Sequence, residues 1–412
     1  MNATILTPQS EISLRQPACD PQNWLLDPEI IFLNHGAFGA CPRRVLEFQN
    51  EWRLRLERQP LQFLGRELEP LLDCARAALA QLVGAETDDL VFVPNTTTGV
   101  NTVLRSLEFR SGDELLVTSQ EYNACRNALD FVAARTGARV VVAKIPFPLP
   151  SAGDALATVL ENVTSRTRLA LLDHVTSQTG IVMPIARWVG ELAARGVDSL
   201  VDGAHAPGMI PLNLKELGAT YYTGNCHKWL CAPKGAAFLQ VRRDRQKFIR
   251  PLTISHGANS ARTDRSRFLI EFAWTGTADP SAYLSVPEAL RFIGSSLPGG
   301  WPEVMARNHA LALAARKILC AALRIPEPCP EEFIGSLAAI PIPDAAPDDW
   351  PRLPLNEYPL QDQLREKHKI EVPIISWPAP PKRALRISAQ LYNSLPQYEL
   401  LVKALITELR GS

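Results

Sequence analysis

The sequence predicts an α/β protein, with a mostly parallel central sheet flanked by helices and a smaller α+β C-terminal domain. Three observations carry that reading. Seven short apolar runs recur between about residues 90 and 241, amphipathic stretches separate several of them, and a proline-rich tract breaks the pattern beyond residue 340. Alternation of buried strands with helical periodicity is the signature of βαβ units.

In chain order, Pro42 to Val83 carries helical periodicity and is expected to break near Pro60, where the ring removes a backbone donor. The apolar runs follow: Leu90 to Val93, Glu114 to Val117, Arg139 to Val142, Leu169 to Leu172, Ser199 to Val201, Thr220 to Tyr222 and Ala236 to Leu239. Asn127 to Arg135 and Ile185 to Arg195 space their apolar residues as helices do. In the C-terminal part, Pro341, Pro343, Pro347, Pro351, Pro354, Pro378, Pro380 and Pro381 interrupt a lobe that still contains a strand-like Ala384 to Ser388 and a final helix from about Tyr398.

Bulk properties exclude several classes of partner. With 412 residues, 46% of them hydrophobic, the chain is long enough for a full core and more than one lobe. Lys plus Arg equals Asp plus Glu at 43 each, so no overall charge draws the protein to nucleic acid or an anionic membrane. The basic run Arg242-Arg243-Asp244-Arg245 is short and reads as a solvated face. Met1 to Asp20 lacks the apolar region of a signal peptide, and no apolar run reaches spanning length. The eight cysteines show no CxxC pair or disulfide rhythm, which fits a reduced, cytoplasmic protein. The seven histidines show no metal-ligand spacing, so no metal is expected.

Ligands of open parallel sheets bind outside the carboxyl ends of the strands, and four such ends here are rich in polar residues. One is Thr223-Gly224-Asn225-Cys226-His227-Lys228-Trp229. A lysine in such a place is ordinarily a surface lysine. Asp202, closing Leu200-Val201-Asp202, is either a helix cap or a functional carboxylate. Pro94-Asn95-Thr96-Thr97-Thr98-Gly99 turns from strand to helix and suits either a phosphate cradle or an N-cap. The fourth end is Asp173-His174-Val175-Thr176-Ser177. Pyridoxal phosphate (PLP) chemistry needs a lysine amine for the cofactor's aldehyde and a carboxylate to keep its pyridine nitrogen protonated. Lys228 and Asp202 supply that pair.

Through Phe32 to Pro42, Asn95 to Asn101, Val201 to Gly208 and His227-Lys228-Trp229-Leu230, the chain resembles the class V aminotransferase family of fold-type I PLP enzymes, in its isopenicillin N epimerase-like branch. The resemblance runs from about Phe32 to Tyr392. It implies a segment 1–44 packing with the small domain, a large cofactor domain over 45–295 and a small domain over 296–412. It implies Lys228 as Schiff-base lysine and proton shuttle, Asp202 at the pyridine nitrogen, and Thr96, Thr97, Asn225 and His227 at the phosphate. Tyr122 would stack on the ring, and Thr176 and His205 would reach its phenolic oxygen. Arg386 would clamp the substrate carboxylate, with His35 and Gly36 beside the substrate. Thr277, in Trp274-Thr275-Gly276-Thr277, would reach the neighbouring site of a homodimer.

The implied activity is PLP chemistry at Cα of a small amino acid. Epimerisation is the reaction of the branch, yet it needs an acid opposite Lys228, for which Tyr222, His256 or a partner residue are the candidates. A cysteine, cystine or sulfoxide C–S lyase needs no second base and fits equally; transamination is the third outcome. Persulfide-forming desulfuration is disfavoured, because no cysteine lies between Pro330 and Arg386. An idle PLP-fold scaffold is disfavoured by the presence of both Lys228 and Asp202.

Overall fold

In the computed structural model, residues 13–149, 151–350 and 358–411 are described. Pro351 and Pro354 of the proline tract, and the start of the chain through residue 12, lie outside them.

The strands are β1 (Ile31–Phe32), β2 (Leu90–Val93), β3 (Glu114–Thr118), β4 (Arg139–Ala143), β5 (Thr167–Asp173), β6 (Asp198–Asp202), β7 (Tyr221–Asn225), β8 (Ala237–Val241), β9 (Leu337–Ile342), β10 (Ile370–Glu371), β11 (Ile374–Ser376) and β12 (Arg383–Ser388). Seven of them form the central sheet in the order β2-β8-β7-β6-β5-β3-β4. The β4-β3-β5-β6-β7 run is parallel, and β8 is antiparallel to both of its neighbours. That exception has a local cause. No α-helix separates β7 from β8, so the chain cannot cross over and must return alongside. The loop that makes the return carries Lys228.

Alternate residues of the strands enter two different cores. Leu116, Ala170, Leu172, Val201, Tyr222 and Phe238 pack into one, and Leu115, Val117, Leu169, Leu171, Leu200 and Tyr221 into the other. A strand covered on both faces reads as a continuous apolar run, which is the pattern the sequence shows.

The smaller lobe holds the antiparallel sheet β11-β12-β9. Pro341 sits in β9, an edge strand, where its missing N–H costs no ladder bond on the open side. The final helix spans Leu395–Gly411, three residues ahead of its expected start. Ser394 and Gln397 explain the difference: the Gln397 amide oxygen accepts the Ser394 N–H at 3.2 Å, and the Gln397 N–H donates to the Ser394 carbonyl at 3.1 Å. Pro396 then falls in the first turn, where a proline is tolerated. The break in the early helical region is broader than a proline kink: Arg43–Arg58 ends at Gln59, and a π-turn at Phe63–Glu67 precedes Leu68–Val83.

The segment after β1 ties the lobes together. β1 pairs in parallel with β10, and Leu33 takes bonds from the small lobe on both sides, to Glu371 at 2.9 Å and from Ser388 at 3.0 Å. The turn His35–Phe38 is thereby held over the Lys228 loop.

Candidate active site

A cavity of about 390 Å³ opens at the carboxyl ends of β2, β5, β6 and β7. Its wall includes Thr96, Thr97, Tyr122, Asp202, His205, Asn225, His227 and Lys228, eight of the residues expected from sequence.

Lys228 is half-buried, and desolvation followed by the Arg386 charge lowers its amine from the usual lysine value to about 7. Its Nζ lies 2.9 Å from His205 Nε2. The Trp229 indole, which can only donate, points at His205 Nδ1 at 3.4 Å. The imidazole proton therefore sits on Nε2 and is donated to the lysine, whose amine must be neutral to accept it. Burial, then the charges of Lys228 and Arg386, hold His205 well below the usual histidine range, in keeping with a neutral ring. A neutral, oriented amine is the nucleophilic form of lysine.

Asp202 Oδ1 accepts the Ala204 N–H at 2.9 Å, and its Oδ2 accepts the Cys125 thiol at 3.2 Å. At the other end, Asn95 caps the Thr96–Ser106 helix by accepting from the Thr98 N–H, while Asn225 Oδ1 accepts the Thr96 N–H at 2.9 Å. Of the first-turn donors this leaves the Thr97 N–H for a ligand. Thr96 Oγ1 is buried without a partner. His227 donates through Nδ1 to the Ala236 carbonyl at 3.1 Å, so Nε2 is the nitrogen left for the cavity. Burial, followed by the Lys228 charge, lowers its imidazole to about 4. A helix N-terminus, an orphaned hydroxyl and an imidazole make a cradle that a phosphate would satisfy. Tyr122, 42% exposed, lines the same cavity.

Arg386 reaches the site from β12. It donates to the Ser177 carbonyl, and its Nε is buried without a partner. Burial lowers its guanidinium to about 10. Buried Arg316 has Glu327 opposite it, whereas Arg386 has no carboxylate partner among the described residues. A substrate carboxylate would complete its fork.

Five expected residues do not line the wall: Arg386, bonded to the lining residue Ser177, and four others. Thr176 Oγ1 is spent inside its own turn, on Thr179 Oγ1 at 2.6 Å and the Ile181 N–H at 2.8 Å, and Ser177 lines the cavity instead. His35 lies behind Lys228: Nδ1 accepts from the Tyr392 hydroxyl at 2.8 Å and Nε2 donates to the Lys228 carbonyl at 3.1 Å. Gly36 gives its N–H to Ser388 Oγ at 3.0 Å, and a Cβ there would stand 2.6 Å from Leu337. Ala37 and Phe38 take their place at the wall. Thr277 is exposed and off the cavity of its own chain. Of the acid candidates opposite the lysine, Tyr222 is buried with its hydroxyl on His174 Nδ1 at 2.9 Å, and His256 lies outside the cavity.

Sequence reasoning missed Lys234, whose Nζ donates to the Gly39 carbonyl at 2.9 Å at the cavity rim. It also missed Glu121 and Cys125 around Asp202, and gave no role to Asp173 although that residue opens one of the polar strand ends. Glu121 directly precedes Tyr122, and Asp173 closes β5 as Asp202 closes β6, so strand-end acidity was the available signal.

Gly39 joins the small-lobe turn to the lysine loop. Its φ is +70°, and an added Cβ would lie 2.0 Å from the His227 carbonyl oxygen. Gly39→Ala is expected to cost about 1–3 kcal/mol from backbone conformation alone. Thermal melting and cofactor uptake should both suffer; an unchanged melting temperature would mean the turn is free to move.

The fold and the site define a class: a two-lobed α/β enzyme with a half-buried lysine and a carboxylate at adjacent strand ends. The Aminotransferase class-V family model matches residues 37–353. A probable chloroplastic L-cysteine desulfhydrase of Arabidopsis thaliana is 33% identical over 402 residues, covering 92% of this chain and 83% of that protein. The isopenicillin N epimerase of Streptomyces clavuligerus is 33% identical over 394 residues, covering 92% and 95%. Among solved structures, the cysteine desulfurase CsdA of Escherichia coli superposes with a TM-score of 0.74 at 21% identity, covering 94% of this chain and 97% of that one. A C-DES mutant with glycine covalently linked to its PLP cofactor gives 0.75 at 22%, covering 92% and 96%. The chain belongs to the class V aminotransferase family.

Proposed function

We propose that this enzyme binds pyridoxal phosphate on Lys228 and eliminates a β-substituent, a thiol or persulfide, from a cysteine-type amino acid. The observation that carries the choice of reaction is a single available base. Lys228 is the neutral amine at the cavity floor, and the other titratable side chains at the wall are committed or badly placed. Asp202 and Asp173 are buried at the strand ends, His205 is bonded to Lys228, His227 lies at the helix cradle and Lys234 is at the rim, while the Tyr122 phenol, pushed up by burial, is un-ionised and is no base. An epimerase needs an acid on the opposite face, whereas an eliminase does not. None of the chain's cysteines lines the cavity among the described residues, which disfavours a persulfide-carrying cysteine.

Within this reading Thr96, Thr97, Asn225 and His227 hold the phosphate, Tyr122 covers the ring, and Asp202 keeps the ring nitrogen protonated. When bound, the cofactor supplies an electron sink for the pair released at Cα. Arg386 fixes the substrate carboxylate so that the Cα–H bond faces Lys228. The lysine amine takes that proton, the β C–S bond breaks, and the thiol leaves. For cysteine plus water the products are pyruvate, ammonia and hydrogen sulfide. His205 holds the amine on the reacting side.

Epimerisation is the second reading, supported by the family branch and by the Tyr122 phenol as its one candidate acid. Incubation with L-cysteine and L-cystine in D2O separates the two. Pyruvate and sulfide without inverted amino acid are expected; deuterated D-amino acid without pyruvate would replace elimination by epimerisation.

Because Lys228 titrates near 7, uptake of pyridoxal phosphate by cofactor-stripped protein should accelerate as pH rises through about 7 and then level off. Below that value the amine is protonated and cannot attack the aldehyde. Stopped-flow absorbance checks this; a midpoint near the ordinary lysine value would mean the amine is solvated and charged.

A homodimer belongs to the same reading. Thr277 is offered by its exposed segment to a neighbouring copy, and light scattering with the Thr277→Ala variant tests that assembly. A cytoplasmic location suits eight cysteines that are all free.

A further inference from the structure

Three carboxyl groups meet beneath the cavity, and only one has the partners an anion needs. Oxygens of Glu121 and Asp202 and the Cys125 sulfur all lie within 4.8 Å of one another. Asp173, beside Asp202 in the β5–β6 register, completes the group. Asp202 accepts two hydrogen bonds and faces the Lys228 side. Both oxygens of Glu121 and Oδ2 of Asp173 are buried with no partner. The opposite end of the sheet shows what a buried carboxylate in this protein otherwise receives. There Glu114 is met by Arg139 at 2.7 Å, Arg166 at 2.8 Å and Thr164 at 2.7 Å.

The groups facing Glu121 and Asp173 supply no cation. They are Cys125 from the Asn123–Thr136 helix, Asp202 from β6, and the Tyr122 backbone amide. Three negative charges in so dry a space would each lose hydration without compensation, so at most one persists.

We infer that Glu121 is a positioning residue held as an un-ionised acid against an equally un-ionised Asp173, so that the cluster's single negative charge rests on Asp202. Burial and the neighbouring carboxylates push Glu121 and Asp173 far above the usual carboxylic range, in the same direction. The consequence reaches the reaction. A charged Glu121 would raise the proton affinity of Asp202 and draw the proton off the cofactor's ring nitrogen. A neutral Glu121 leaves Asp202 the more acidic partner and the ring a stronger electron sink. This rests on the reading that Asp202 faces the ring nitrogen, but the proton on Glu121 is testable apart from it.

The test is infrared difference spectroscopy of the purified holoenzyme, and of the same protein after cofactor stripping, against Glu121→Gln. At neutral pH the wild type should show the carbonyl stretch of an un-ionised carboxyl, absent from the variant. Glu121→Gln should still take up pyridoxal phosphate, since one neutral side chain replaces another. Loss of carboxylate stretches alone would overturn the inference, as would zinc titration that saturates a site lost in Glu121→Gln. Should the variant fail to fold, wild type labelled with carboxyl-13C glutamate reports the same proton, through a protonated band that persists above pH 8 or is missing there. Failure of the wild type to take up pyridoxal phosphate would sink the cofactor reading while leaving the infrared result standing.

Discussion

Lys228→Ala is expected to abolish turnover, lowering kcat/KM by at least roughly 10⁴-fold, about 5 kcal/mol of transition-state stabilisation. The magnitude follows from two duties in one side chain, holding the cofactor and moving the Cα proton. No nearby group can inherit them. Lys234 is at the rim with its ammonium on the Gly39 carbonyl, and His205 is held neutral with its proton directed at Lys228. The variant should fold normally, because deleting a half-buried amine removes a desolvation cost. Added small primary amines should restore part of the rate. A variant that kept more than a hundredth of wild-type activity would move the chemistry to another residue.

The second large effect is expected at Arg386. Arg386→Ala should reduce kcat/KM for α-amino acids by roughly 10²–10³-fold, since truncating one partner of a buried charge pair costs about 2–5 kcal/mol. Most of the change should appear in KM, with melting temperature little altered, because no protein carboxylate is left unpaired among the described residues. Arg386→Lys should recover only part of the loss, since an ammonium lacks the planar fork. The Ser177 carbonyl would still be served, which separates carboxylate binding from loop support. A collapse in stability with unchanged KM would assign the guanidinium to the loop alone.

The central sheet was legible because its strands are covered on both faces and so read as apolar runs; all seven lie within a few residues of the expected positions. The antiparallel course of β8 was not legible, because it depends on the absence of a helix between two runs rather than on the runs themselves. Strand-end residues were placed well by the same logic. Asp202, Asn225 and Lys228 sit where a strand stops, and topology alone gathers them. Turn residues were placed less well. Thr176 and His35 have the right chemistry and the right loop, but one hydroxyl closes its own turn and one imidazole supports the lysine from behind. One residue beyond Thr176 and two beyond His35, Ser177 and Ala37 face the cavity instead. Side-chain direction in a turn is set by local φ and ψ and by partners distant in sequence, such as Tyr392 for His35. The carboxyl cluster escaped notice because its members come from three separate runs, each unremarkable alone.

The most direct test of the central claim is borohydride reduction of the purified holoenzyme, followed by peptide mass spectrometry to locate the phosphopyridoxyl group. The account predicts the label on Lys228 alone. Label on Lys234, or no label on a protein saturated with pyridoxal phosphate, would contradict it.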